Sequence, residues 1–259
     1  MDNVQNKTAI VTGAGSGIGY HITEELLRKG AKKVAIFDLP RECSYNATVT
    51  LQEKFGKDRV IYFPIDLTNL EVFNETFKQA VKALNGLDIL VNNAGICFDR
   101  CIEQTFAINV VALIRGSVLA IDYMDKQKDG KGGTIVNIAS MAGLGSFAAC
   151  PVYSSSKFAV VGFGLNLEKF YDKTGVRILT ICPSFTKTAM SSQKNNLLEF
   201  IDEDDITKLY SKEFFDSQSA AHVGQSVVVA IQKGKNGSIW IIHRGETPYP
   251  IKLQPFIAA

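Results

Sequence analysis

Short apolar runs alternate with longer amphipathic runs along this chain, and that alternation restricts its fold more than any other feature. The runs Lys7–Val11, Lys33–Phe37, Val60–Phe63, Asp88–Val91, Thr134–Ala139, Val176–Cys182 and Ser238–Ile242 read as strands. Between them, Ile18–Arg28, Ser44–Phe55, Leu70–Leu84, Thr105–Tyr123, Tyr153–Tyr171 and Ala220–Gln232 read as helices. In Leu70–Leu84 the apolar side chains Val72, Phe73, Phe77, Ala80, Val81 and Leu84 recur at helical spacing. Brief strands separated by helices form βαβ units around a parallel sheet. The expectation is one α/β domain over residues 1–259, a doubly wound parallel sheet of about seven strands with helices on both faces.

Composition is compatible with that sheet and excludes other classes. Apolar residues make up 46% of the chain, enough to bury strands on both faces. Lys plus Arg number 28 against 26 Asp plus Glu, a balance that predicts neither a nucleic-acid nor a membrane partner. The N-terminus lacks the basic-then-apolar pattern of a secretory signal, so a cytoplasmic location is expected. The charge-free stretch Gly132–Ser156 contains Asn137, Pro151 and many hydroxyls, which suits a buried strand and a turn better than a membrane span. Five scattered cysteines (Cys43, Cys97, Cys101, Cys150, Cys182) give no disulfide framework. Cys97 and Cys101 have a metal-like spacing, but no second pair or histidine cluster accompanies them, and no metal site is expected.

The first strand runs into Thr12-Gly13-Ala14-Gly15-Ser16-Gly17-Ile18-Gly19, which opens the first helix. Glycines let the backbone approach a pyrophosphate, and the helix N-terminus offers it unpaired N–H groups. Gly13, Ser16, Gly17, Ile18 and Gly19 are therefore expected to bind a dinucleotide on a Rossmann-type fold. Asp38 ends the second strand, nineteen residues after Gly19, where a carboxylate can accept the adenosine ribose hydroxyls and repel a 2′-phosphate. With Leu39 and Pro40 following it, NAD is the expected cofactor, although Arg41 stands close enough to admit some NADP.

Tyr153 and Lys157 lie four residues apart, one helical turn, with Ser140 upstream. A cation beside a phenol favours phenolate and lowers a pKa normally about 10. Tyr153 is thus a candidate acid/base at a substrate oxygen. Together with the dinucleotide turn, the set points to redox chemistry on an alcohol or ketone.

The Thr-Gly-x-x-x-Gly-x-Gly turn, Asn92-Asn93-Ala94-Gly95, Asn109, Ser140 and Tyr153-x-x-x-Lys157 resemble the short-chain dehydrogenases/reductases over essentially the whole chain. Ile121–Lys126, Gly132-Gly133, Pro151-Val152-Tyr153 and Asn236–Trp240 are similar to the branch holding the 15-hydroxyprostaglandin dehydrogenases and the insect alcohol dehydrogenases, and suggest an insect source. The resemblance implies that Ser140 positions the substrate oxygen and that Lys157 holds the nicotinamide ribose and keeps Tyr153 acidic. It implies that Asn109 anchors a water behind Lys157; a buried Asn bonded to its own helix is the other option. Further cofactor contacts are implied for Leu39, Asp66, Leu67, Asn93, Ala94, Gly95, Pro183, Thr186 and Thr188, with Asp66 alternatively a helix N-cap. The substrate would meet Ser140, Cys150, Tyr153 and Phe185, and the relatives pair as homodimers, with a tetramer as the other possibility.

Three positions depart from the pattern. Ser184 replaces the glycine usual after Pro183, Ala139-Ser140 replaces Ser-Ser, and Cys150 stands where the prostaglandin enzymes carry glutamine. The last makes prostaglandin specificity doubtful. Residues 191–219 mix Leu197, Leu198, Phe200, Leu209, Phe214 and Phe215 with an acidic run, Glu199–Asp205, that reads as a solvated face. They are expected to form a lid that covers a lipophilic alcohol, with Phe147 and Met190 on the pocket wall. The expected activity is NAD-dependent interconversion of a lipophilic secondary alcohol and its ketone. A catalytically quiet NAD-binding regulator and a small-alcohol dehydrogenase of the insect type are the alternatives.

Overall fold

In the computed structural model, which describes residues 4–192, 197–201, 203–210 and 216–253, strands and helices alternate as the sequence predicts. The first half contains β1 (Thr8–Thr12), α1 (Gly17–Arg28), β2 (Lys33–Asp38), α2 (Glu42–Phe55), β3 (Val60–Pro64), α3 (Leu70–Leu84) and β4 (Ile89–Asn92). Then come α4 (Ile102–Phe106), a π-helical stretch (Ala107–Ala112), α5 (Leu113–Met124), β5 (Gly133–Ile138), α6 (Pro151–Leu167), α7 (Tyr171–Thr174) and β6 (Val176–Pro183). The remainder comprises β7 (Thr186–Lys187), α8 (Glu203–Leu209), β8 (Gln218–Ser219), α9 (Ala220–Lys233), β9 (Ile239–Ile242) and β10 (Tyr249–Ile251).

The main sheet has eight strands in the order β10-β9-β6-β5-β4-β1-β2-β3, one more than the sequence suggests. The addition is β10, which pairs antiparallel with β9. A three-residue strand containing Pro250 carries no alternation, and proline is tolerated there because the strand lies at the edge. A separate pair, β7 with β8, is two residues long on each side and equally invisible to periodicity.

The chain winds outward from β1 to β3, then returns to build β4, β5 and β6 on the other side of β1. A crevice opens between the carboxyl ends of β1 and β4, where such sheets bind ligands. Alternation along the strands sorts the core. Ala9, Val11, Val34, Ile36 and Val91 pack with α1 and α9, whereas Ile10, Ala35, Phe37, Leu90 and Ile135 pack with α3 and α5. Phe37, Phe73 and Phe77 are wholly buried, each side chain worth about 1.5–3 kcal/mol.

The helix expected over Thr105–Tyr123 starts at Ile102 and is interrupted by the π-helical stretch. Ile102–Met124, at mean hydropathy 1.6, is long and apolar enough to cross a membrane. Here Leu113, Gly116, Ala120 and Met124 are buried on its inner side.

Candidate active site

Thr12 brings the glycine turn to the crevice and fastens it. Its hydroxyl accepts the backbone N–H groups of Asn93 and Ala94, each at 3.0 Å. The Asn93 amide donates in return to the carbonyls of Thr12 and Gly13 at 2.9 and 3.1 Å. A Cβ at Gly13 would lie 2.8 Å from the Ala94 Cα, and one at Gly19 would lie 2.3 Å from the Gly13 oxygen. Gly17, at φ +54°, opens α1, and no side-chain bond from the N-cap residue Ser16 covers the first N–H groups. A cradle that a Cβ would fill, beside a helix N-terminus without a side-chain cap, fits a pyrophosphate. Ile18 packs partly into the core behind it.

Asp38 stands at the end of β2, beside this turn. Its two oxygens accept the N–H groups of Gly15 at 2.6 Å and Leu39 at 2.7 Å. Arg41 is exposed, at the N-cap position of α2. Asp66 is exposed and accepts from the backbone and hydroxyl of Thr68 at 2.9 and 2.7 Å, while Leu67 is buried. The capping alternative for Asp66 does not hold, because Asn69 caps α3 by accepting from Val72 at 3.2 Å.

Across the crevice, Pro183 ends β6 and is buried. Ser184 fits the place of the usual glycine: its N–H donates to Ile242 at 2.8 Å and its hydroxyl accepts from Gln218 at 3.2 Å. Thr186 donates to the Ser184 carbonyl at 2.8 Å. Thr188 reaches the glycine turn, its methyl lying 3.4 Å from where a Gly17 Cβ would be.

Ser140, Tyr153 and Lys157 come together at the end of β5. Ser140 caps the short turn Met141–Gly143, accepting from Ala142 at 3.1 Å, and its hydroxyl lies near enough to the Tyr153 phenol to favour the phenolate. Pro151 starts α6, where its missing N–H costs nothing. The turn and helix touch closely: a Cβ at Gly143 would lie 2.6 Å from the Lys157 carbonyl, and Ser154 donates to Ala142 at 2.6 Å. Lys157 is only 4% exposed, with Nζ donating to the Ile138 carbonyl at 2.9 Å and lying 5.6 Å from the Tyr153 ring centre.

The electrostatics reverse one expectation. Tyr153 keeps some exposed surface, but its hydroxyl end is enclosed, and burial pushes the phenol above its ordinary range instead of below it. Burial acts on Lys157 too, lowering its pKa to about 8. In both groups desolvation is the largest cause, and it disfavours the charged form of each.

Asn109 is wholly buried within the π-helical stretch. Its oxygen accepts from Ile96 N–H at 2.8 Å, and its amide donates to the Ile96 carbonyl at 2.8 Å and to Ser156 at 2.9 Å. It clamps the loop after β4 to α6 and does not turn back on its own helix. Gly95 leaves room for this clamp; a Cβ there would sit 3.1 Å from the Asn109 oxygen and 3.5 Å from Lys157 Nζ.

Three neighbours of the site have no place in the sequence expectations. Asp99, wholly buried, accepts the N–H groups of Val152 at 2.8 Å and Tyr153 at 2.9 Å at the start of α6. Burial raises its pKa, and the two N–H groups hold the rise in check. Cys97 approaches Asp99 and Cys150, not Cys101. Cys182, wholly buried on β6, follows Ile181, whose carbonyl accepts the Ala139 N–H at 2.7 Å, and burial lifts its thiol to about 12. None of the three follows a spacing rule; the loop and α6 join only in the fold.

The expected lid is only partly packed. Phe200 and Leu209 are 78% and 61% exposed, so neither covers the site, and Phe214 and Phe215 lie outside the described residues. Asp204 in the acidic run is exposed on α8, a solvated face as expected. The segment is held by Tyr210, which accepts from Ala148 N–H at 2.6 Å and packs on Phe147, and by Arg100, which donates to Leu197 at 2.8 Å. Phe185 and Met190 are half-buried nearby in the chain.

A doubly wound sheet with this crevice and a Ser–Tyr–Lys cluster defines a dehydrogenase class, and the chain belongs to the short chain dehydrogenase family, whose model matches residues 7–198. Among individual relatives, rat 15-hydroxyprostaglandin dehydrogenase [NAD(+)] is 37% identical, covering 92% of this chain and 91% of its own. Alcohol dehydrogenase 1 of Ceratitis capitata is 33% identical over 94% of both chains. A short chain dehydrogenase from Burkholderia cenocepacia in complex with NADP superposes with a TM-score of 0.79 at 25% identity, covering 94% of this chain and 99% of that one.

Proposed function

We propose that this protein is an NAD-dependent oxidoreductase that interconverts a lipophilic secondary alcohol and its ketone. The observation that carries this is Ser140 at the end of β5 beside Tyr153, with Lys157 Nζ 5.6 Å from the Tyr153 ring centre, at the crevice beside the glycine cradle. An intact set of this kind speaks against a catalytically quiet binding protein. Gly13, Ser16, Gly17, Ile18 and Gly19 would hold the pyrophosphate, and Asp38 and Leu39 the adenosine ribose. Asp66 and Leu67 would face the adenine, and Asn93, Ala94 and Gly95 the floor of the crevice. Lys157, Pro183, Thr186 and Thr188 would contact the nicotinamide half. When bound, the dinucleotide supplies the hydride acceptor.

Ser140 holds the substrate hydroxyl through its own oxygen, and Tyr153 takes the hydroxyl proton. Lys157 lies close enough to the phenol to stabilise the phenolate as it forms. Asn109 fixes the loop that brings Gly95 against Lys157.

NAD is favoured over NADP by the Asp38 carboxylate at the rim and by the names of the mammalian relatives. A lipophilic substrate is favoured by Cys150, buried at the start of the helix that carries Tyr153, with Phe185 and the packed Phe147–Tyr210 pair as the expected pocket wall. The likeness to the Ceratitis enzyme gives weight to a second reading, oxidation of small alcohols, and to an insect source. Action in the cytoplasm as a homodimer completes the proposal; Ile102, Val111, Val118 and Phe158, all 45–49% exposed on α4 to α6, supply an apolar face for pairing. The test is NADH formation across alcohols of graded chain length, with NADP in parallel. Absence of turnover with every alcohol in an intact, NAD-binding preparation would sink the oxidoreductase assignment.

A further inference from the structure

We propose that Cys97, Asp99 and Cys150 form a site for a thiophilic divalent cation such as zinc, and that filling it excludes the substrate alcohol from Tyr153. Cys97 and Asp99 lie two residues apart in the loop after β4, and Cys150 is the N-cap residue of α6. Their two sulfurs and a carboxylate oxygen all lie within 4.8 Å of one another. Zinc binds sulfur at about 2.3 Å and carboxylate oxygen at about 2.0–2.2 Å, so neighbouring ligands of a tetrahedral ion stand about 3.5–3.8 Å apart. The present separations exceed that by about 1.3 Å at most, within reach of small side-chain rotations.

The surrounding structure holds the ligands in place. Asp99 is tied to Val152 and Tyr153 at the start of α6, and Ile96 is clamped on both sides of its peptide by Asn109. Each Asp99 oxygen accepts one backbone N–H and keeps a further lone pair for an ion. Binding would replace the two thiol protons, releasing both to solvent, and give a cation held by two thiolates and a carboxylate with no change of oxidation state. Three protein ligands leave a fourth position for water. Asp99 accepts the Tyr153 N–H at 2.9 Å, and Cys150 is the N-cap residue of the same helix, three positions before Tyr153. An ion between them would therefore sit where the substrate must approach.

Cobalt(II) serves as a spectroscopic probe for the full-length, reduced, cofactor-free protein. One equivalent should produce thiolate-to-cobalt charge-transfer absorption, and zinc should displace it. Cys97→Ser and Cys150→Ser should each weaken cobalt binding at least about tenfold, the scale of a compromised metal shell. Cys43→Ser, at an exposed position on α2, should leave binding and activity unchanged. On the unaltered chain, zinc should protect Cys97 and Cys150 from alkylation mapped by mass spectrometry, an arm that does not depend on variants folding. No charge-transfer band, a band that survives both serine substitutions, or unprotected thiols would overturn the site. These arms need no turnover, so they stand apart from the proposed activity. With an active preparation, zinc should compete with the alcohol and not with NAD; the opposite pattern would overturn its placement beside Tyr153.

Discussion

Asp99 accepts the backbone N–H of Tyr153 at 2.9 Å, so the residue assigned the proton transfer is held by a carboxylate from the loop after β4. The same carboxylate takes the preceding N–H, of Val152, at 2.8 Å. A buried anion at a helix start satisfies two donors and complements the helix dipole. Asp99→Ala should cost about 1–2 kcal/mol of stability, the scale of a lost cap. It should lower kcat more than it raises the alcohol KM, and Asp99→Asn should restore part of both. Equal unfolding midpoints for Asp99→Ala and the unaltered chain would dismiss this role.

Tyr153→Phe should bind NAD nearly as before, since the ring and helix remain, while kcat falls at least about a hundredfold. Because burial raises the phenol, its base form grows only as pH rises, and alcohol oxidation should climb toward alkaline pH. Pre-steady-state NADH formation checks both points, and a flat pH profile for the chemical step would remove Tyr153 as base.

Lys157 titrates at about 8 in the folded protein, against 10.5 for an ordinary lysine. Between those values the unfolded chain holds the extra proton, so this group makes stability rise with pH there. Below about pH 8 both states are protonated and the full burial cost is present. Lys157→Met removes that cost. Its pH-dependent advantage should reach about 3 kcal/mol near pH 7 and shrink by about pH 10. Urea unfolding at the two pH values decides it; a constant difference between the proteins would contradict the depressed pKa.

Asp38→Ala should weaken NAD and admit NADP, because one carboxylate supplies both the ribose acceptors and the charge that repels a 2′-phosphate. It also loses the bond to Gly15, so NAD affinity should fall further than the ribose contacts alone require. The ratio of kcat/KM for the two cofactors is the measurement. Equal use of both by the unaltered enzyme would mean that Arg41 already offsets Asp38.

Among substrates, kcat/KM should rise with chain length, and prostaglandins should be poor because Cys150 offers little hydrogen bonding. Gln218 does not replace the missing glutamine, for its side chain is spent on Ser184, Thr186, Ile242 and Gly245. A maximum at two- or three-carbon alcohols would favour the insect type of activity instead.

Much of the fold could be read from the chain because the helical and strand periods are clear, although the caps were not. Leu70–Leu84 was bounded correctly at both ends, with Asn69 as cap and Asn85 in the left-handed region at φ 59°. The Ser140, Tyr153 and Lys157 cluster was legible too, since one helical turn and one strand end fix it. Asp99 was not, because its partners are backbone N–H groups more than fifty residues away, which leave no mark in residue type. Nor was the direction of the Tyr153 shift, since neighbouring charge can be inferred from spacing but desolvation requires the enclosing walls. The pairing of Cys97 with Cys150 escaped for a related reason: sequence distance favoured Cys101, while the topology brings α6 to the loop.

The π-helical stretch around Asn109 makes chain length itself a structural determinant. In an α-helix each residue turns about 100° around the axis, and a wide turn accommodates one extra residue. Ala107–Ala112 thereby sets the phase between α4, which faces α6, and α5, which faces the sheet. Removing a single residue there would let the helix wind evenly and rotate one half by about 100° against the other. Either Thr105 would leave the Phe98 carbonyl and Asn109 leave Ile96, or Leu113 and Met124 would leave the core. A one-residue deletion in this stretch is thus a graver lesion than any single substitution within it, even one that keeps every named side chain.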